Sequence, residues 1–478
     1  MKNIDEFEFE KILYSKEHSI SDCKIEFEKI SNFDLGKIKP RFLFNNVVFS
    51  GKRFSFYKSI EKHSNYITFK NCLFLTDLYI GDCDFQNLHF VSNTFECQYI
   101  IIRNCKILDL RYSDENNFKN GNLNIDLSEI QNLDFENIIF SEFSKFKLTN
   151  SNFPGDVSII RNNIDQLLVS HCIFKNRFDY FSNKFNHTRN SALFNNCEFN
   201  FSNFFESNFN NDTLFSNCKF LNITKIENTG DETKTTLKFD DCEFLKQVSF
   251  NKSRIHKIVF NNLKFHDIIS LQETYFDIVD IDRTIFEKQA YFDDIEIKQI
   301  HNCNTRSIRT IKLQLQKAEN KIDYNKFRIY EFNAYKKDIK KKLKEFKKDK
   351  DHLNHRVRQP IQLKRDLFIL NISDVVSEYG TDWKRALKFT LLTGSIIYLL
   401  FFICENSNCK ITLLNWDSYT RFTSGLFRFF LVTDFFNPLE NDRTYLTNPL
   451  SWLIFIFGKI VIAFGIYEMI QSFRKFKA

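Results

Sequence analysis

Glycine and proline are scarce in this sequence, with 11 Gly and 5 Pro among 478 residues. An ordinary β-sandwich turns every 8–12 residues on such residues, so their scarcity counts against that architecture. No GxGxxG, Walker A loop, HExxH or GxSxG occurs. Without a phosphate cradle, a zinc-protease helix or a nucleophile elbow, neither an enzyme nor a cofactor is expected. The 12 Cys include no CxxC pair, which leaves a zinc site without its usual spacing. His352 and His355 form an HxxH inside a lysine-rich stretch and read as a solvated helix face. The opening "MKNIDEFEFEKI" lacks an apolar h-region, so a cleaved signal peptide is not expected, and the cysteines before residue 310 are expected to be reduced.

Net positive charge is missing from the first 300 residues. Residues 1–40 hold 7 basic and 9 acidic side chains, and residues 41–300 hold 29 and 34. Residues 301–478 hold 31 basic against 17 acidic, so the net +7 resides entirely in the C-terminal part. That asymmetry points to an anionic partner there, a membrane surface or nucleic acid. No nucleic-acid recognition signature accompanies the basic residues, which leaves the membrane surface as the expected partner.

Phenylalanine is abundant: there are 58. From Phe194 it recurs at Phe199, Phe204 and Phe209, then at Phe215 and Phe220. The same step of five joins Phe44, Phe49 and Phe54; Phe85, Phe90, Phe95 and Ile100; Phe250, Ile255, Phe260 and Phe265; and Phe276, Ile281, Phe286 and Tyr291. Five is neither the helical nor the strand period. A fixed period of this kind marks a solenoid, whose units bury their apolar faces only by stacking. A second pattern, Cys-x-Phe, occurs at Cys72, Cys83, Cys172, Cys197, Cys218 and Cys242. Alternation sends Cys and Phe inward and the middle residue outward, with Cys serving as a small buried apolar group. Asn196, Asn217, Asp241 and Asn262 each precede such a triplet or its equivalent, which predicts a polar ladder up one edge.

These triplets and their spacing resemble pentapeptide-repeat proteins, in which a small residue and a large apolar residue two positions later point into a four-sided right-handed β-helix. Here Cys commonly takes the small position and Phe the large one. The resemblance covers roughly 41–295 and is degenerate around 107–165. It implies about 12 coils and a rod of roughly 55–60 Å. Some proteins of this kind mimic DNA, but a net charge of −5 over 41–300 is thin for a dense acidic face.

Beyond residue 300 the step of five gives way to helical spacing, with two helices expected around a break near Asn320. Residues 335–351 hold nine Lys against four acids. Lys340, Lys341, Lys342, Lys344, Lys347 and Lys348 are the candidates for contact with lipid headgroups, each worth about 1 kcal/mol near an anionic surface. Two runs then read as membrane spans, about 386–404 and 449–473. Basic flanks place both termini in the cytoplasm and the loop 405–449 outside. Within that loop, 422–437 reads as an interfacial or re-entrant helix, bounded by Pro438. Arg428, Asp434, Lys459 and Glu468 are the polar groups at membrane depth. Lys459 is expected to pair with Asp434 or Glu468, to snorkel to the headgroups, or to line a water-filled path. Cys404 and Cys409 are placed to form a disulfide if the loop faces an oxidising compartment.

The expected fold is therefore mainly a β-solenoid with an α-helical linker and C-terminal transmembrane helices: a cap over 1–40, the β-helix over 41–298, a basic linker over 299–385 and a membrane domain over 386–478. The order of these parts, with "FILNISDVVSEYGTDWKRALKFT" and "GKIVIAFGIYEMIQSFRKF", resembles membrane-anchored pentapeptide-repeat proteins of bacteria. The resemblance implies an inner-membrane protein, with a cytoplasmic solenoid docking a protein partner. It also implies an oligomeric two-span domain acting as a channel-like or membrane-perturbing effector, in stress or phage defence. No Thr-Val-Gly-Tyr-Gly filter lies between the spans. The alternative is a membrane-anchored interaction scaffold without transport.

Overall fold

The structure is a computed structural model. It describes all residues except 59–64, 142–143, 186–191, 208–211, 230–235, 349–357, 410–413, 441, 443 and 475–478. The chain forms two compact units, Met1–Glu319 and Asn320–Ala478.

The first unit is a parallel β-solenoid of about 12 turns. One of its ladders holds 13 strands, from Ser31–Asp34 to Glu296–Ile297, and another holds nine, from Lys2–Ile4 to Lys184–Phe185. Each strand pairs with its counterpart one coil on, so like residues stack: Phe199 lies against Phe220, Phe220 against Phe244, and Phe244 against Phe265. Their ring centroids are 5.1, 4.4 and 4.9 Å apart, and the planes are within 11° of parallel. The spacing is that of neighbouring strands, so each ring continues the column begun by the one below.

The corners explain the polar residue before each triplet. Asn196, Asn217, Asp241 and Asn262 all have φ between 52° and 53°. Asn and Asp tolerate this left-handed region best among residues with a side chain, which lets the coil turn without glycine. The ladder expected along this edge is present: the Asn262 amide donates to the Asp241 carboxylate, and Asn196 Nδ2 lies 3.1 Å from His171 Nε2. A second amide ladder was not foreseen. Asn93 and Asn116, and again Asn162 and Asn183, occupy the inward small position. They are buried and bond from coil to coil at 3.1 Å. Buried amides persist because stacking satisfies both donor and acceptor.

The stretch 107–165, irregular in sequence, is regular in structure. Ile107, Leu110, Tyr112, Leu123 and Ile125 fill inward positions with aliphatic or Tyr side chains in place of Phe. Pairing also reaches into the expected cap, for Lys2–Ile4 lies alongside Cys23–Ile25 and Ser19–Ser21 alongside Leu43–Asn45. Helix α1 (Glu6–Leu13) closes this end, with Phe9 and Leu13 fully buried. Helix α2 (Thr305–Lys317) closes the other end through Ile308, Ile311 and Leu315, and Ser307 Oγ accepts the Ile281 amide at 2.7 Å. Both open edges are thereby covered, which a solenoid requires for solubility.

The second unit contains α3 (Lys321–Lys348), α4 (Arg358–Ser377), α5 (Trp383–Cys409), α6 (Trp416–Phe430) and α7 (Pro449–Arg474). The segments Trp383–Asn406 and Pro449–Arg474, with mean hydropathies of 2.0 and 2.1, are long and apolar enough to cross a membrane. They pack antiparallel. Facing positions run from Trp383 with Phe473, through Gly394 with Ile462 and Ile397 with Gly458, to Phe401 with Phe455. At Gly465 an added Cβ would collide with Thr390 Oγ1, so the two helices approach closely at this glycine.

Candidate functional site: a half-length helix capped by a buried lysine

Helix α6 enters the groove between α5 and α7 and stops halfway along them. Phe422 packs on Tyr398 and Phe402, Phe429 on Tyr398, Phe401 and Phe455, and the Phe430 ring fills the space over Gly394. The Tyr398 hydroxyl donates to the Phe422 carbonyl at 2.6 Å. After Phe430 the chain turns and climbs back along α6. Arg421 donates to the Leu439 carbonyl at 3.0 Å, and Arg428 donates to the carbonyls of Pro438 and Glu440. The helix thus begins and ends earlier than the 422–437 expected, and 431–440 is its return limb.

A helix that ends in an apolar groove leaves its last carbonyls without helical donors and carries partial negative charge there. A tight turn after α6 supplies backbone donors to Arg428 O and Leu431 O, and Lys459 adds the positive charge and two further bonds there. This lysine is 4% exposed, and its Nζ donates to Leu431 O at 2.6 Å and Arg428 O at 3.2 Å. It also lies 4.8 Å from the Phe455 ring centroid and 5.6 Å from that of Phe429. Its hydrogen bonds go to main-chain carbonyls, and neither Asp434 nor Glu468 is the partner expected from sequence. Asp434 instead lies 3.5 Å from Arg428 Nε, and both are half-buried. Glu468, 6% exposed, accepts from the Ser377 hydroxyl, which also accepts the Gly380 amide at 2.7 Å. Arg428, Asp434 and Lys459 therefore form one cluster at the end of α6, while Glu468 belongs to a separate junction between α7 and α4.

No disulfide involves Cys404. Helix α5 runs unbroken through Cys404 and Cys409, which separates their Cα atoms by roughly 8 Å, beyond disulfide reach. Lys340, Lys341, Lys342 and Lys344 are exposed on α3. The side chains of Lys347, Lys348 and Cys409, and the pair His352 and His355, lie outside the described residues. On the same unit, Lys336 pairs with Asp374 at 2.7 Å and Tyr379 donates to Asn333 at 3.0 Å, joining α3 to α4 and the turn after it.

Two buried polar residues escaped the sequence reading. Glu405 and Ser451 are 2% and 0% exposed, and Glu405 Oε2 and Ser451 Oγ have no hydrogen-bond partner among the described residues. In the sequence Glu405 directly follows the uncharged run 389–404, a position that reads as a flank. Comparison with protein-family models, with curated proteins and with solved structures gave no match.

Proposed function

We propose that this chain is a membrane-anchored docking protein. Its solenoid engages a cytoplasmic protein partner, and α5, α7 and the re-entrant α6 hold it in the inner membrane with both termini inside. One observation carries this reading. The ionic groups sequence analysis placed at membrane depth are satisfied within a single chain: Lys459 by the α6 carbonyls, Arg428 by Asp434 and the return limb, and Glu468 by Ser377. A lysine satisfied in this way needs no water-filled path and no second copy. The exposed lysines of α3 suit contact with anionic headgroups. The inward Cys and Phe columns support kinship with membrane-anchored pentapeptide-repeat proteins.

A channel-like effector is the second reading, favoured by α6 itself. A half-helix ending at mid-depth is a recurrent way to present an ion site, and several copies around an axis would be needed to enclose water. Ion flux in liposomes separates the two. Docking expects no flux above empty vesicles, and expects Met1–Glu319 on an unrelated single-span anchor to keep the biological effect of the full chain. Flux that disappears in that chimera, together with its effect, would establish the channel instead.

A further inference from the structure

The facing positions of α5 and α7 extend one turn past Phe401 and Phe455, which sets Glu405 opposite Ser451. Each is more than nine-tenths buried, and each holds an oxygen without a hydrogen-bond partner among the described residues. Among the described residues, the neighbouring elements supply no counter-charge. Helix α6 carries Asp417 and Arg421, both exposed, with Arg421 committed to Leu439 O, and Arg428 at its far end, committed to Asp434 and Glu440 O. The first turn of α7 has no ionisable side chain, and the described residues of 431–448 carry only the acids Asp434, Glu440 and Asp442. No ion pair forms to Glu405 among the described residues. An enclosed carboxylate without a cation costs several kcal/mol, and an unpaired hydroxyl beside it adds to that cost.

We propose that Glu405 and Ser451 form a binding site for a small monovalent metal cation at the outer end of the α5–α7 seam. The ligand class follows from the donors. Both are hard oxygens, which suit alkali and alkaline-earth ions over soft metals. A single carboxylate balances a single positive charge, and water completes the shell. The occupant would bridge the two helices where α5 ends and α7 begins, so it stabilises the seam. This site does not rest on the docking role, since binding requires neither a protein partner nor transport.

The test uses the full chain in nanodiscs of neutral phosphatidylcholine at constant pH. Thermal unfolding is followed by tryptophan fluorescence, for which Trp452 is the direct neighbour of Ser451. LiCl, NaCl and KCl are compared with choline chloride at equal ionic strength. With a dissociation constant of about 10 mM, about 150 mM of the preferred ion favours the folded state roughly 16-fold, a rise of a few degrees in Tm. The rise should vanish in Glu405→Gln and shrink in Ser451→Ala, and the same ion should saturably change Trp452 emission in the wild type. An equal rise in Glu405→Gln would overturn the proposal. So would a wild type indifferent to all three ions; if it were then stabilised by acid alone, the occupant would be a proton.

Discussion

Replacing Lys459 by Met keeps the length of the side chain and removes its charge and both hydrogen bonds. Neither carbonyl becomes an orphan. Leu431 N still donates to Arg428 O at 3.1 Å, and Asp434 N still donates to Leu431 O at 3.1 Å. The loss is therefore two additional charge-assisted bonds, about 3–5 kcal/mol gross, with about 1–2 kcal/mol from the Phe455 and Phe429 rings. Against this stands the cost of burying an ammonium group, several kcal/mol, which Met relieves. The end of α6 also loses the positive charge facing its dipole. We expect a net destabilisation of about 2 kcal/mol, or about 4–8 °C in Tm for a unit of this size. The assay is thermal unfolding of the purified chain in nanodiscs. Lys459→Gln, which can still donate to one carbonyl, should fall between wild type and Met. A Met variant that melts at or above the wild type would refute the capping role, as would a Gln variant no better than Met. Any flux or growth effect of a Lys459 variant must be read against that stability loss.

Phe220→Asp should unfold the solenoid, because Phe220 is fully buried between Phe199 and Phe244 and the charge would have no partner. Glu198→Lys, outward and in register with Lys219, should cost less than about 1 kcal/mol; a melt ranking the two in the opposite order would invert the register. The Glu243 carboxyl is held below its usual range, first by its bond to His266 and then by Lys219 and Lys264. A depressed carboxylate contributes stability above its unfolded value, and the contribution is lost as pH falls through the folded one. The acid limb of the melting curve below about pH 4.5 should therefore be shallower in Glu243→Gln, and an unchanged limb would contradict the linkage. For topology, a cysteine at Asp442 should react with an impermeant reagent outside intact cells while one at Lys340 does not; the reverse would place the solenoid outside.

Much of the solenoid was legible because it is written locally. A step of five repeated over many coils specifies which side chains face inward before any partner strand is known, and Cys-x-Phe specifies both in-facing positions at once. The corner Asn and Asp were visible as a column, but their φ near 53° emerged only with the backbone. The irregular stretch 107–165 was hidden because stacking needs apolar volume, not Phe, and Ile, Leu and Tyr supply it. The long apolar helices were likewise evident from run length.

The candidate sites were another matter. Sequence marked Lys459 as costly in an apolar helix and listed acidic residues as partners. It could not show that α6 stops halfway and turns its carbonyls toward that lysine. Glu405 ended an uncharged run, so it looked like a flank, and only the pairing of α5 with α7 enclosed it beside Ser451. Inward-facing columns follow from a short repeat, whereas a counter-charge for a buried ion depends on where separate helices end. That is a property of packing between distant segments, and only the tertiary structure decided it.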